Sequence, residues 1–446
     1  MKELDLLHGD LKKQILLFAL PLMLSNLIQV LFNMADVMVV GKFGGPIALG
    51  SVGSTTMMIT LFTGFMIGVA SGINVVTAIY LGRGNEEKIR KSVNSSLVVA
   101  ISAGVLIMLI GELFGGTILH LLNTKEDLFA GAVLYVRIYS LGMPALALYN
   151  YGNAVFSAAG DTKRPLKYLS IAGVLNVILN LFFVVVIKWT VSGVALASII
   201  SQYLSAILIN RDLLKSEQRY KLDLHHFDLD INMIKHVLSL GLPSGLQNAI
   251  FYIANMFVQM GVNTFSSTVV AGVSAASNVD NLIFDIMTAF YTAGASFIGQ
   301  NLGAGKKERI FKSYLYSTGY AFIIALGLGS FIAFFGRNFL YLFTSDPKVV
   351  EAGMGRLTIM GYTYCLSAFM DGSIAGSRAL GKTVVPTIIV VVGSCLFRIA
   401  WIYTIFMHYK TTTSLYLLYV FSWSLSAIGE TWYFMRIYRE KMKQLS

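Results

Sequence analysis

The stretch LGRGNEEKIRKS, residues 81–92, returns 221 positions later as LGAGKKERIFKS, residues 302–313. At the same shift, AAGDTKRP (158–165) faces ALGKTVVP (379–386). Two matches in the same order and at one spacing indicate an internal repeat.

A third match lies near the start of the chain, where PLMLSNLIQVLFNM (21–34) faces PSGLQNAIFYIANM (243–256) at a shift of 222. The two stretches share a proline, two asparagines and a methionine at corresponding positions. Chance could produce one such match, but three in order indicate that the chain arose by duplication.

The composition is that of a membrane protein. Of 446 residues, 56% are hydrophobic and only 13% are charged, whereas a soluble domain carries about 25% charged residues. So few charges could not cover a water-soluble protein. The 41 glycines and 7 prolines suit long helices that pack closely through small residues.

Apolar runs long enough to cross a bilayer, which takes about 20 residues in a helix, occur twelve times. The runs are too long and too uniformly apolar for the alternating strands of an outer-membrane barrel. We therefore predict an all-α membrane protein with twelve transmembrane helices. Their predicted ranges are 14–40, 47–80, 93–114, 129–159, 168–187, 191–213, 236–263, 268–301, 313–336, 349–377, 384–407 and 413–435.

The duplication divides these spans into two lobes of six helices each. Because six is even, both lobes have the same orientation, which is a parallel repeat about an axis along the membrane normal. We predict an N-terminal lobe over 1–213, a cytoplasmic linker over 214–235 and a C-terminal lobe over 236–446. The histidine pair at 225–226 falls in the polar linker, where we expect solvation rather than metal binding.

The basic residues of the loops favour an orientation. Alternate loops hold most of the lysines and arginines, and cytoplasmic loops collect these residues. The prediction is a multi-pass protein of the cell membrane with both termini in the cytoplasm. The opposite set of loops holds only Lys42, Lys125, Lys188, Arg337, Lys348 and Lys410.

The same observations exclude other classes. A net charge of +11 would suggest nucleic acid in a soluble protein, but here the loop bases account for it, so no nucleic-acid partner is expected. No histidine or cysteine spacing suits a metal, and no serine, histidine and aspartate arrangement suits catalysis. We expect neither an enzyme nor a cofactor, and no resident metal.

Ionisable groups within the apolar runs are the candidates for function. An ionised acid at the bilayer centre costs at least about 2.5–3.5 kcal/mol, so such a group must face protein or water. Arg398 is the base that we expect to be buried. The acids in question are Asp36, Asp280, Asp285, Asp371 and Glu430.

Asp36 is the first choice among them. At about 1.5 Å rise per residue, it lies about two turns from the outer face. Asn180 in the fifth span and Ser198 in the sixth fall at a similar depth. Asn176, one turn before Asn180, and Asn153 in the fourth span could complete a shell of neutral oxygens. The alternative is that these polar residues only tie helices together.

Several stretches resemble the multidrug and toxic compound extrusion (MATE) transporters, of the bacterial type within the wider flippase and exporter superfamily. The resemblance covers nearly the whole chain. ALPLMLSNLIQVLFNMADVMVVGKFGGPIALGSVG (19–53) resembles the first helix of the family, with Asp36 at its acidic position. GMPALALYNYGNAVFSAAGDTKRP (142–165) resembles the fourth helix and the following loop, and FIGQNLGAGKKE (297–308) resembles the signature after the eighth.

The resemblance implies two six-helix lobes in a V around a central cavity, with the first, fifth and sixth helices packed together. It also implies antiport, in which an organic and often cationic compound leaves against inward H⁺ or Na⁺. Many members carry an aspartate where this chain has Asn180, which shifts the expectation slightly toward H⁺. Na⁺ would be only a transient occupant of Asp36 and Asn180.

The second lobe departs further from the family pattern. Some relatives pair an acid on the tenth helix, here Asp371, with a glutamate on the seventh, but residues 247–256 hold no acid. Asp371 could bind a cation, contact a cationic substrate or pair with Arg398, and we leave Asp280, Asp285 and Glu430 unranked. The predicted substrate-cavity residues are Asp371, Asn150, Tyr149, Met256, Phe284, Asp280 and Arg398.

The sequence therefore predicts a monomeric secondary antiporter in the lipid bilayer. It would export small organic, mainly cationic, compounds in exchange for H⁺ or Na⁺ by alternating access. The alternative is a flippase for a lipid-linked or amphipathic substrate, which would need a strongly basic cavity to hold phosphates.

Overall fold

The computed structural model describes residues 3–224, 227–341 and 343–444 of the chain, and every regular element in these ranges is helical. Residues 225 and 226, the predicted solvated histidine pair, lie outside the described residues. The α-helices are α1 (Leu11–Val39), α2 (Gly45–Arg83), α3 (Glu86–Leu121), α4 (Glu126–Ser140), α5 (Met143–Ala158), α6 (Lys163–Leu181), α7 (Val191–Lys215), α8 (Ile231–Val262), α9 (Ser267–Gly303), α10 (Lys307–Leu340), α11 (Pro347–Ala379), α12 (Val384–Val390), α13 (Phe397–Trp401), α14 (Met407–Tyr409) and α15 (Thr412–Gln444).

Over the described residues these helices form twelve segments, one for each predicted span. The fourth segment is α4 followed by α5, bent by 45° beside Pro144. The eleventh joins α12 to α14 through the π-helical turns Val391–Leu396 and Ile402–Phe406. Extra residues in a π turn shift the register of side chains around the helix, and such turns are frequent at functional sites.

By length and hydropathy alone, eight helical stretches of the described chain could cross a membrane, or nine when α4 and α5 count as one. The first of them, Leu11–Arg83, contains two predicted spans joined by the π turn Val40–Gly44. Large apolar side chains on the helix surfaces support a lipid environment: Phe334 is 78% exposed and Ile428 is 71% exposed.

The described residues form two compact units. The first contains residues 3–5 and Leu24–Asn248, and the second contains Leu6–Met23 and residues 249–444. Both α1 and α8 therefore pass from one unit to the other part-way along their length. The predicted lobe boundaries, 1–213 and 236–446 with a linker over 214–235, stay a prediction.

In the first unit, α2 and the beginning of α8 approach closely through glycines. A Cβ atom added to Gly68 would lie 2.4 Å from the backbone of Gly245, and one added to Gly72 would lie 2.5 Å from the backbone of Gly241. No side chain fits at these distances, so glycine sets the spacing of the two helices. Close backbone approach is the main source of packing energy between helices in lipid.

The stretch between α7 and α8 belongs to the first unit, and its described residues bond to α3. Asn94 of α3 donates to the carbonyl of Asp223 at 3.3 Å, and Ser95 exchanges hydrogen bonds with the backbone of Asp230. These bonds satisfy polar groups of α3 and hold the linker in place.

Candidate functional site

Three helices of the first unit converge on the carboxylate of Asp36, in the last turn of α1. Asn180 of α6 donates from Nδ2 to one carboxylate oxygen. Ser198 of α7 donates from Oγ to the other at 3.2 Å. The side chain of Asp36 is partly buried, and those of Asn180 and Ser198 are buried. The structure thus brings together the three residues that the sequence placed at one depth.

Asn176 extends this cluster by one helical turn. Its Oδ1 accepts from Asn180 Nδ2 at 3.1 Å. This amide nitrogen therefore donates to both Asp36 and Asn176. The Oδ1 atom of Asn180 is buried and has no hydrogen-bond partner among the described residues. An unsatisfied buried acceptor is uncommon in a folded protein. A proton or a small cation beside Asp36 would supply the missing partner.

Two tyrosines that we did not predict lie near the same carboxylate. Tyr135 and Tyr139, one turn apart on α4, lie within electrostatic reach of Asp36. Their rings stack with centroids 5.7 Å apart, and Gln202 of α7 donates to the Tyr139 hydroxyl at 3.1 Å. Polar residues one helical turn apart in an apolar run were the signal that could have found the pair.

Local structure explains how these side chains come to meet. The π turn Val40–Gly44 directly follows α1, and the π turn Phe182–Val186 directly follows α6. Beside them, apolar residues of six elements, the two π turns included, form one buried cluster. Its members are Val39, Val40, Ala48, Val52, Tyr135, Val184, Val191, Val194 and Ala195.

Asn153 is the predicted member of the shell that the structure does not bring to Asp36. In the hydrogen bond that it makes among the described residues, its Oδ1 accepts from Ser157 at 3.4 Å, one turn further along α5. The coupling roles of Asp36, Asn176, Asn180, Ser198 and Asn153 stay a prediction.

The predicted substrate-cavity residues are distributed between the two units. In the first unit, Tyr149 is buried and donates to the carbonyl of Pro165 at 3.2 Å. Asn150 borders a small cavity with Met66 and Ile73, and its Nδ2 is buried without a partner. In the second unit, Met256 is partly buried and Phe284 is exposed.

Asp280 is fully buried in the second unit and pairs with Arg356 of α11, whose Nε lies 2.8 Å from Oδ2. From the sequence we predicted Arg398 as the buried base and did not predict Arg356. The one sequence signal for a buried role of Arg356 was the presence of a charged residue within the predicted tenth span. The pair neutralises both groups, so Asp280 is less available to a cationic substrate.

Asp371 does not pair with Arg398, which was one of its three predicted roles. It lies within electrostatic reach of Arg378 and Glu430 instead. Oδ2 of Asp371 and both carboxylate oxygens of Glu430 are buried without hydrogen-bond partners. Two acids of the second unit therefore share one neighbouring arginine.

Arg398 is fully buried, and its partners are neutral. Its Nη1 donates to Asn255 Oδ1 at 2.7 Å and its Nε to Ser422 Oγ at 3.3 Å. Aromatic rings surround the guanidinium: Phe251 and Tyr419 have their centroids 4.6 Å from Cζ, and Trp423 has its centroid 5.7 Å away.

A helical membrane protein built from two repeated lobes, with titratable groups held inside the helix bundles, has the plan of a secondary transporter. The family model MatE matches residues 21–182 and again 243–404, and the two matches begin with the repeated stretches 21–34 and 243–256. The chain therefore belongs to the MatE family, the MATE transporters, and it is not an enzyme.

Curated relatives match most of the chain. A probable multidrug resistance protein of Bacillus subtilis (strain 168), YpnP, is 27% identical over 397 residues, which are 87% of this chain and 88% of the relative. A protein of Shewanella oneidensis named FAD transporter is 26% identical over 357 residues, 77% and 78% of the two chains.

The fold is that of solved MATE structures. A crystal structure of a MATE transporter in complex with MaL6 superposes with a TM-score of 0.92 at 24% sequence identity, covering 99% of this chain and 100% of the other. The chain is thus a multi-pass membrane transporter with the fold of drug exporters, and the comparisons do not favour the flippase alternative.

Proposed function

We propose that this protein is a secondary antiporter that exports small organic compounds in exchange for H⁺, with Na⁺ as the alternative ion. The observation that carries the proposal is the Asp36 carboxylate, held by Asn180 of α6 and Ser198 of α7. A single titratable group thus links three helices: α1, which carries Asp36, and α6 and α7, which carry its two donors.

The contacts of Asp36 depend on its protonation. The ionised carboxylate only accepts hydrogen bonds, and Asn180 Nδ2 and Ser198 Oγ both donate to it. A protonated carboxyl carries its own donor and needs an acceptor. The Oδ1 atom of Asn180, which is buried without a partner, could accept from it after the amide turns.

Protonation would therefore change the contacts between α1, α6 and α7. A ligand shifts a conformational equilibrium only by as much as it binds one state better than the other. Here the proton is that ligand, and the exported compound would favour the state in which Asp36 is ionised. The π turns that follow α1 and α6 are places where these helices could repack.

The exported compounds are proposed to be small and mainly cationic. One relative is named for multidrug resistance and another for FAD. Family membership alone therefore supports a small organic molecule as the exported substrate, but it does not identify a particular compound. Both termini are proposed to lie in the cytoplasm of a cell-membrane protein that acts as a monomer.

Transport by the purified protein in proteoliposomes tests the proposal, with a pH gradient and a Na⁺ gradient imposed separately on vesicles that contain a fluorescent cationic dye. We expect the pH gradient to drive dye movement and the Na⁺ gradient to drive less. Dye movement that neither gradient accelerates over protein-free vesicles would refute antiport.

A further inference from the structure

Arg398 is a buried positive charge without a negative partner among the described residues. Its side-chain contacts are an amide oxygen, a hydroxyl and three aromatic rings. Aromatic faces attract a cation but do not neutralise it. A buried charge is normally paired with an opposite charge. We therefore expect a negatively charged group beside this guanidinium, and none of the described residues provides it.

Two hydrogen-bond donors of this cluster are also unused. Arg398 Nη2 and Trp423 Nε1 are both buried and have no partner in the part of the chain that the structure describes, and the Trp423 ring lies 5.7 Å from the guanidinium carbon. Neither nitrogen can accept a hydrogen bond. The missing partner must therefore be an acceptor.

The nearest charged groups do not supply this acceptor. Arg356 also lies over the ring of Tyr419, with its Cζ 5.6 Å from the ring centroid, and its charge repels that of Arg398. Asp280 is paired with Arg356 at 2.8 Å. Two guanidinium groups and one carboxylate leave this cluster with one positive charge in excess.

We propose that Arg398, with Trp423 beside it, binds an anionic group, either a small inorganic anion or the carboxylate of an organic compound. The guanidinium presents donors in a planar fork that matches a carboxylate, and the surrounding rings of Phe251, Tyr419 and Trp423 provide an apolar wall for an aromatic acid. Binding at this site does not depend on proton coupling at Asp36.

The melting temperature of the purified full-length protein in detergent measures binding, because a ligand that binds only the folded state raises it. In the titration, sodium chloride or sodium benzoate is raised from about 1 mM to about 100 mM. An equal amount of sodium gluconate is removed at each step, so that the ionic strength stays constant. Gluconate is the bulky, strongly hydrated reference anion, and benzamide is the uncharged match of benzoate.

We expect a rise of about 2–4 °C with at least one of the two anions and none with benzamide. A response to chloride alone identifies an inorganic anion site, and a response to benzoate identifies a site for organic acids. No response to either anion would overturn the proposal.

Variants locate the effect. Arg398→Gln should abolish the response, whereas Arg337→Gln, which removes an exposed arginine paired with Glu351 at 2.7 Å, should retain it. Arg398→Lys keeps the charge and should retain a weaker response, which provides a folded variant if Arg398→Gln does not fold. A full response in folded Arg398→Gln, or none in folded Arg398→Lys, would contradict the assignment.

Discussion

Replacing Asp36 with asparagine tests the coupling site most directly, since the two side chains have nearly the same shape. Asn180 and Ser198 both donate to the carboxylate. Hydrogen bonds to a charged group contribute about 1.5–3 kcal/mol each. Holding an ionised acid within the bilayer costs at least about 2.5–3.5 kcal/mol. The two terms nearly cancel. Asparagine is neutral, so it removes the cost of holding a charge and also the part of the hydrogen-bond energy that depends on the charge.

The melting temperature of Asp36→Asn should therefore change by no more than about 2–4 °C. Coupling should be lost, because an amide does not take up and release a proton. Na⁺ affinity should fall as well, because the neutral amide has no negative charge to attract the cation.

The assay is dye movement in proteoliposomes under imposed pH and Na⁺ gradients, with the melting temperature measured on the same preparation. Asp127→Asn is the matched control, because Asp127 is an exposed acid in the first turn of α4. Undiminished gradient-driven transport by folded Asp36→Asn would refute the reasoning. A large loss of stability would instead assign Asp36 a structural role.

Further predictions concern the surrounding packing and charges. Asn180→Asp adds a second carboxylate against Asp36, so transport driven by Na⁺ should gain relative to transport driven by H⁺; Asn153→Asp, away from Asp36, should leave the ratio unchanged in the same vesicles. Gly72→Ala should lower the melting temperature by overpacking worth about 1–3 kcal/mol, whereas Gly53→Ala should not, because nothing lies within 4 Å of its added Cβ. Arg356→Met leaves Asp280 buried and unpaired and should cost about 3–5 kcal/mol in the free energy of unfolding, most of which a second change, Asp280→Leu, should restore.

The helical segments and the Asp36 cluster could be predicted because both depend on position along the helix axis. Hydropathy reports which residues lie in lipid, and the rise per residue gives the depth of Asp36, Asn180 and Ser198. Neither measure gives the rotation of a helix about its own axis, which decides which neighbouring helix each side chain faces. Asn153 has a suitable residue type, yet it bonds with Ser157 on its own helix.

The residues that were missed show the same limit. Tyr139 and Gln202 reach the carboxylate region because of how α4 and α7 are rotated, and the π turns that adjust such rotations have no clear sequence signal. Arg356 was not predicted because a single arginine hardly changes the mean hydropathy of a long apolar run. Pairing also could not be foreseen: Asp371 and Arg398 lie on consecutive spans, but Arg398 bonds with Asn255.

The duplicated halves use corresponding helices for opposite charges. In the first half, α1, α6 and α7 surround a carboxylate, and in the second half α8, α13 and α15, their counterparts in the repeat, surround a guanidinium. Asp36 corresponds to Val258 in the repeat, and Arg398 corresponds to Val177. Two identical six-helix halves would carry the same residue at both members of each pair, so the opposite charges of the two sites depend on halves whose sequences can differ.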